Sequence, residues 1–152
     1  MFTNRRDVLA TVGLVPRFIV HQRPSNAPML LMSVLFDGVS VLCLVDTGSD
    51  CTLIRQSEAA RIGTLEPSIG RERRYGFGGG AIDVTMHRIS VLSVSNIYRT
   101  GITVGVVPDN TIQWPGVLGM DVLGRQPVVL DARNSTMYGV SPTVPSLPDR
   151  CT

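Results

Sequence analysis

Seven consecutive residues, Val39-Ser40-Val41-Leu42-Cys43-Leu44-Val45, carry no charge, and the eighth is Asp46. A short run rich in Val and Leu predicts a strand, and its weak alternation predicts burial on both faces. Asp37-Gly38, just before it, is a strong signal for a two-residue hairpin turn, which makes Leu30–Phe36 the expected partner strand. A carboxylate closing a buried strand is costly unless it is hydrogen-bonded or used in chemistry. The next residues indicate how Asp46 is tolerated. Thr47 and Ser49 bring hydroxyls, and Gly48 has no side chain to keep its N–H away from a carboxylate. A tight turn here presents Asp46 at the edge of the core, facing a cleft. Taken alone, Asp46-Thr47-Gly48 fits an ordinary turn after a strand equally well.

The rest of the chain reads as mostly β with one or two short helices. Its 15 Gly and 10 Pro call for frequent turns. Thr52-Leu53-Ile54 is expected as a short strand, then a brief helix capped by Ser57, running through Ile62 and stopped by Gly63. Tyr75-Gly76-Phe77-Gly78-Gly79-Gly80 is a glycine-rich tip between two extended stretches. Ala81–Val94 and Thr100–Val107 read as strands, with Pro108-Asp109-Asn110 as a turn. Gly116-Val117-Leu118-Gly119-Met120-Asp121-Val122-Leu123 ends in a short helix, followed by a strand pair at Val128–Leu130 and Thr136–Val140. Three segments result: a lead at 1–28, a domain at 29–140, and a Pro-rich tail at 141–152.

Composition excludes several classes of function. A net charge of +2 gives no broad basic surface for nucleic acid, and no apolar run is long enough to span a membrane. All 14 basic residues are Arg. The dense run Arg71, Arg73 and Arg74 reads as a solvated turn. Three cysteines, Cys43, Cys51 and Cys151, without Cys-x-x-Cys spacing, argue against a disulfide framework or a zinc site. With only His21 and His87 as imidazoles, no metal or cofactor is expected. Arg5-Arg6 before Val8–Val15 has the look of a twin-arginine export start, though no small-residue cleavage site follows; a cytoplasmic or an exported protein both fit.

Three features together carry a resemblance: Leu44-Val45-Asp46-Thr47-Gly48-Ser49-Asp50, the glycine-rich tip about thirty residues later, and Val117-Leu118-Gly119-Met120-Asp121-Val122-Leu123 before the last strand pair. In this order and spacing, from about Leu30 to Tyr138, the chain resembles the retropepsin family of retroviral proteases and their cellular and bacterial relatives. Gly116–Tyr138 is closer to the cellular and bacterial members. The resemblance implies a closed β-barrel domain and assigns roles by position. Asp46 would be the catalytic carboxylate. Thr47 would hold two active-site loops together across a dimer, with Gly48 against the carboxylate and Ser49 beside it. Gly119 would pack beneath the loop. Gly76, Phe77, Gly78 and Gly79 would form a flap over substrate, and Ile112 and Trp114 would line substrate pockets, with a core role for Trp114 equally open. Asp50 would make a structural ion pair, but the usual Arg near Met120 is missing.

Aspartic protease chemistry uses two carboxylates that share one proton. The chain has one Asp-Thr-Gly, and Asp121 and Asp131 lack the following Thr/Ser-Gly. A homodimer with one Asp46 from each chain would supply the pair, acting on a peptide or protein substrate. The strand around Phe18-Ile19-Val20 and that around Met137-Tyr138 are candidates for a sheet shared between chains. Two other readings stay open: a catalytically silent dimer that binds peptides, and a plain β assembly module in which Asp46 is only a turn residue.

Overall fold

The computed structural model describes residues 19–22, 28–76, 80–131, 133, 134 and 136–140. The fold is mostly β, as expected. The two-residue turn sets its start. Asp37 and Gly38 have φ of 47° and 85°, the positive values that a primed hairpin turn needs. The Asp37 carboxylate steadies the turn by accepting from the Val91 N–H at 2.7 Å and the Thr64 hydroxyl at 2.7 Å. Strand β2 (Pro28–Phe36) therefore returns as β3 (Val39–Val45), with Phe36 opposite Val39.

Burial on β3 differs from expectation. Val41 and Cys43 are fully buried, Ser40 is exposed, and the other positions are intermediate. One face packs into the core with Met32, Val34 and Phe36 of β2. The opposite face of the pair carries Ser33 and Ser40, whose hydroxyls bond each other at 2.6 Å. The back of the strand is partly covered, with Leu44 packed against an apolar cluster around Leu53 and Val117.

Eight strands form one sheet in the order β1-β2-β3-β8-β4-β7-β6-β5. They are β1 (Ile19–Gln22), β2, β3, β4 (Leu53–Arg55), β5 (Gly70–Tyr75), β6 (Ala81–Val94), β7 (Ile97–Val107) and β8 (Gly116–Leu118). Leu35 and Phe36 of β2 also pair with Ser93 and Leu92 of β6. The pairings β2-β3-β8-β4-β7-β6 thus run in a ring, with β1 and β5 as outer edges. Strand β7 begins at Ile97, three residues before the expected Thr100. Ser95 takes φ 55°, so Ser95-Asn96 alone turns the chain.

Helix α1 (Gln56–Ile62) follows β4. It ends at Gly63 with φ 71°, the left-handed stop that glycine favours. Ser57 does not cap it. The N-cap position is Arg55, and the Ser57 N–H instead donates to Asp109 Oδ1 at 2.9 Å, so the cap comes from a distant loop. A second, short helix α2 (Met120–Leu123) precedes β9 (Val128–Asp131) and β10 (Thr136–Gly139), which pair with each other. Asn96 fastens this small sheet to the β6–β7 turn, donating to Gly139 O at 2.8 Å and accepting from Gly139 N–H at 2.7 Å.

The main core joins Met32, Phe36, Ile54, Leu92, Ile97, Leu118 and Met137, each with essentially no exposure. A second cluster of Cys51, Leu53, Val84, Met86, Val107 and Val117 is flanked by Leu44, Ile82 and Ile112. Among the described residues, no helix is long and apolar enough to cross a membrane.

Candidate active site

The end of β3 and the turn after it place Asp46. Leu44 and Val45 pair in parallel with Val117 and Leu118 of β8, and the ladder continues one step as Asp46 N–H donates to Leu118 O at 3.1 Å. The chain then turns, with Ser49 N–H donating to Asp46 O at 3.2 Å. Asp46 is half-buried while Thr47 and Gly48 are exposed. The Asp46 Oδ1 atom accepts from Gly48 N–H at 2.9 Å, and a Cβ on Gly48 would lie 3.2 Å from that oxygen. Glycine keeps the approach of amide to carboxylate uncrowded.

Below this loop lies a clamp made by Thr52, Gly119 and Asp121. Thr52 is the one fully buried polar side chain among the described residues. Its N–H donates to Asp121 Oδ2 at 2.9 Å and its hydroxyl donates to Asp121 Oδ1 at 2.7 Å, while the same hydroxyl accepts from Gly119 N–H at 3.1 Å. Met120 N–H donates to Ser49 O at 2.8 Å, and Ser49 Oγ donates to Cys51 O at 2.7 Å. Gly119 packs so closely that a Cβ there would meet the Cys51 carbonyl carbon and oxygen at 2.5 Å. Both oxygens of Asp121 are occupied, so that carboxylate supports the loop and is not poised for chemistry. Sequence reasoning passed over Thr52 and Asp121. The signal that marks Asp46, a carboxylate in an apolar run, marks Asp121 as well.

Asp50 has a partner that the sequence did not reveal. Arg74 of β5 donates from Nη1 to Asp50 Oδ2 at 2.7 Å and from Nη2 to Glu72 Oε2 at 2.6 Å. The run Arg71, Arg73 and Arg74 is therefore not a turn. It lies on an edge strand, where alternation sends Arg74 inward and leaves Arg71 and Arg73 exposed.

The remaining predicted residues fall as follows. Gly76 N–H donates to Gly80 O at 2.9 Å, closing the end of the β5–β6 hairpin. Phe77, Gly78 and Gly79 lie outside the described residues, as do the twin-arginine start and Cys151. Ile112 is half-buried against the second apolar cluster, which also takes in Leu44 and Val117 beside Asp46. Arg55 holds the Ile112 and Gln113 carbonyls at 2.9 and 2.7 Å. Trp114 is half-buried just before β8. Thr47 borders a hollow of about 230 Å³ with Met120, Leu123, Gln126, Val128 and Leu130.

Cys43 and Cys51 are poor nucleophiles. Burial pushes the Cys51 thiol up to about 11, against the pull of Arg74, and burial pushes Cys43 up as well. Both are therefore protonated thiols at neutral pH. His87 bonds the Glu66 carbonyl through Nδ1 at 2.9 Å. Among the described residues, no group of three His, Cys, Asp or Glu side chains is placed to hold a metal.

Residues 32–122 match the family model described as aspartyl protease. A retropepsin-like aspartic protease from Rickettsia conorii has a similar fold, with a TM-score of 0.56 over 81% of this chain and 89% of that one, at 18% identity. No curated protein sequence matches the chain.

Proposed function

Because the chain belongs to the aspartyl protease family, we propose that it is an aspartic endopeptidase whose catalytic pair is Asp46 from each of two copies. The observation that carries this reading is Asp46 itself. It is half-buried at the end of a strand, one oxygen is held by the Gly48 amide, and its loop is braced from beneath by Thr52, Gly119 and Asp121. The other carboxylates near the loop are engaged, Asp121 by Thr52 and Asp50 by Arg74. The second acid must come from elsewhere, and two-fold symmetry supplies it.

With two Asp46 side chains face to face, like charges resist full ionisation, and the pair retains one proton over a range of pH. The ionised member takes a proton from water, which attacks the scissile carbonyl. The protonated member donates to the carbonyl oxygen as it becomes tetrahedral. Collapse of that intermediate releases the amine as it gains a proton, and the pair returns to its starting state. The Gly48 amide, donating to Oδ1 at 2.9 Å, holds the Asp46 carboxylate in one orientation.

The surface beside Thr47 suits contact with a second copy. Met120 and Leu130 each leave more than a third of their area exposed on the hollow that Thr47 borders. Apolar exposure of this kind next to a half-complete site favours self-association. Thr47 is the residue we assign to contact between the two loops. Gly76, Phe77, Gly78 and Gly79 are assigned to substrate cover, and Ile112 and Trp114 to side-chain pockets.

Replacing Asp46 with Asn tests the reading. The amide keeps the size of the carboxylate and can still accept from Gly48, but it cannot take a proton from water. Peptide hydrolysis should fall to background while the thermal midpoint stays equal or rises, since charge repulsion across the pair is relieved. Full turnover in Asp46→Asn would refute the assignment.

A further inference from the structure

Strand β5 has little to hold it in place. Among the described residues it pairs with β6 alone, and Gly70, Arg71, Glu72, Arg73 and Tyr75 are all exposed. Arg74 is the exception, and its guanidinium bridges two elements. One nitrogen holds Glu72 on its own strand, and the other holds Asp50, four residues beyond Asp46 in the same loop. The clamp of Thr52, Gly119 and Asp121 grips this loop from the core side. Arg74 reaches it from β5 through Asp50, a side chain that is 82% exposed.

An ion pair this exposed contributes little to folding, typically about 0–1 kcal/mol. Its geometry is nonetheless specific. A planar guanidinium anchored by two carboxylates has fewer orientations than an ammonium would. The strand end that it ties down is the one from which the chain continues into Gly76. Resting on the proteolytic reading above, we propose that Arg74 is a positioning residue for peptide hydrolysis, holding the Asp46 loop in register with the β5–β6 hairpin through Asp50. It replaces the Arg that the retropepsin resemblance places near Met120, and it does so from a different element. The consequence is a direct link between the Asp46 loop and the β5–β6 hairpin.

Three variants of the full chain, Arg74→Met, Arg74→Lys and Asp50→Asn, test this, together with the double variant Arg74→Met/Asp50→Asn. Each is examined by peptide hydrolysis and by hydrogen exchange of the residue 48–50 amides. Misplacing a catalytic group by a fraction of an ångström costs rate and not binding, so Arg74→Met should lower kcat about tenfold with little change in KM. The thermal midpoint should be unchanged, and exchange at 48–50 should quicken. Arg74→Lys should recover part of kcat. The double variant should lose no more than the worse single variant, because both remove one interaction. Equal kcat in Arg74→Met and wild type, or losses that multiply in the double variant, would overturn the proposal. If Arg74→Met folds poorly, Arg74→Lys and Asp50→Asn carry the same comparison. A wild type that does not cleave peptides, yet whose 48–50 amides exchange faster in Arg74→Met, would refute the proteolytic reading and leave the loop-positioning role of Arg74 standing. Unchanged exchange would refute that role regardless of activity.

Discussion

Thr52 shows how much of the site depends on one buried hydroxyl. It donates to Asp121 and accepts from Gly119 in the same small space, with no access to water. Thr52→Val preserves the shape and removes both bonds. It strands the Gly119 amide and leaves Asp121 Oδ1 with the Val122 N–H alone, at 3.0 Å, which should cost about 1–3 kcal/mol in urea unfolding. Thr52→Ser, which restores the hydroxyl, should recover most of that loss. A Thr52→Val protein as stable as wild type would mean that the clamp is not what holds the loop. The approach of Gly48 to Asp46 was legible in the sequence because it is contiguous: an apolar strand, a carboxylate, and a glycine whose amide can reach it. Thr52 and Asp121 lie 69 residues apart, and nothing local announces that pairing. Arg74 was hidden for a different reason. Three arginines in four positions read as one solvated block until a strand splits them between two faces.

At the scale of elements, turn chemistry was the most readable signal. Asp37-Gly38 and Gly63 each need a backbone conformation that few residues adopt, and each ends an element where expected. The start of α1 was misread because its cap, Asp109, lies 52 residues away from Ser57. The burial of β3 was overread because an apolar run does not reveal that its back face is only partly covered. The attachment of the β9–β10 sheet was likewise invisible. Two bonds from Asn96 to the backbone of Gly139 make it. Asn96→Ala should lower stability by about 1–3 kcal/mol and quicken amide exchange in β9 and β10 ahead of the main sheet. If exchange in β9 and β10 keeps pace with the main sheet in that variant, the packing of Met137 and Val128 against the main core holds the small sheet without Asn96.

At the scale of the whole molecule, the chain has the aspartyl protease family's fold and a single Asp-Thr-Gly in its sequence. The proposed dimer gathers several separate features: the one Asp46 of the Asp-Thr-Gly, exposed Thr47, the apolar surface of Met120 and Leu130, and the small sheet beside it. The claim at the centre is that one active site needs two chains. It is tested by mixing wild type with Asp46→Asn in equal amounts at fixed total concentration and letting the chains exchange. With random pairing, about a quarter of the dimers carry two Asp46 carboxylates, and hydrolysis should fall to about that fraction of the all-wild-type rate. A rate of about one half, the value for chains that act independently, would contradict the shared site and return the search to a second carboxylate within one chain.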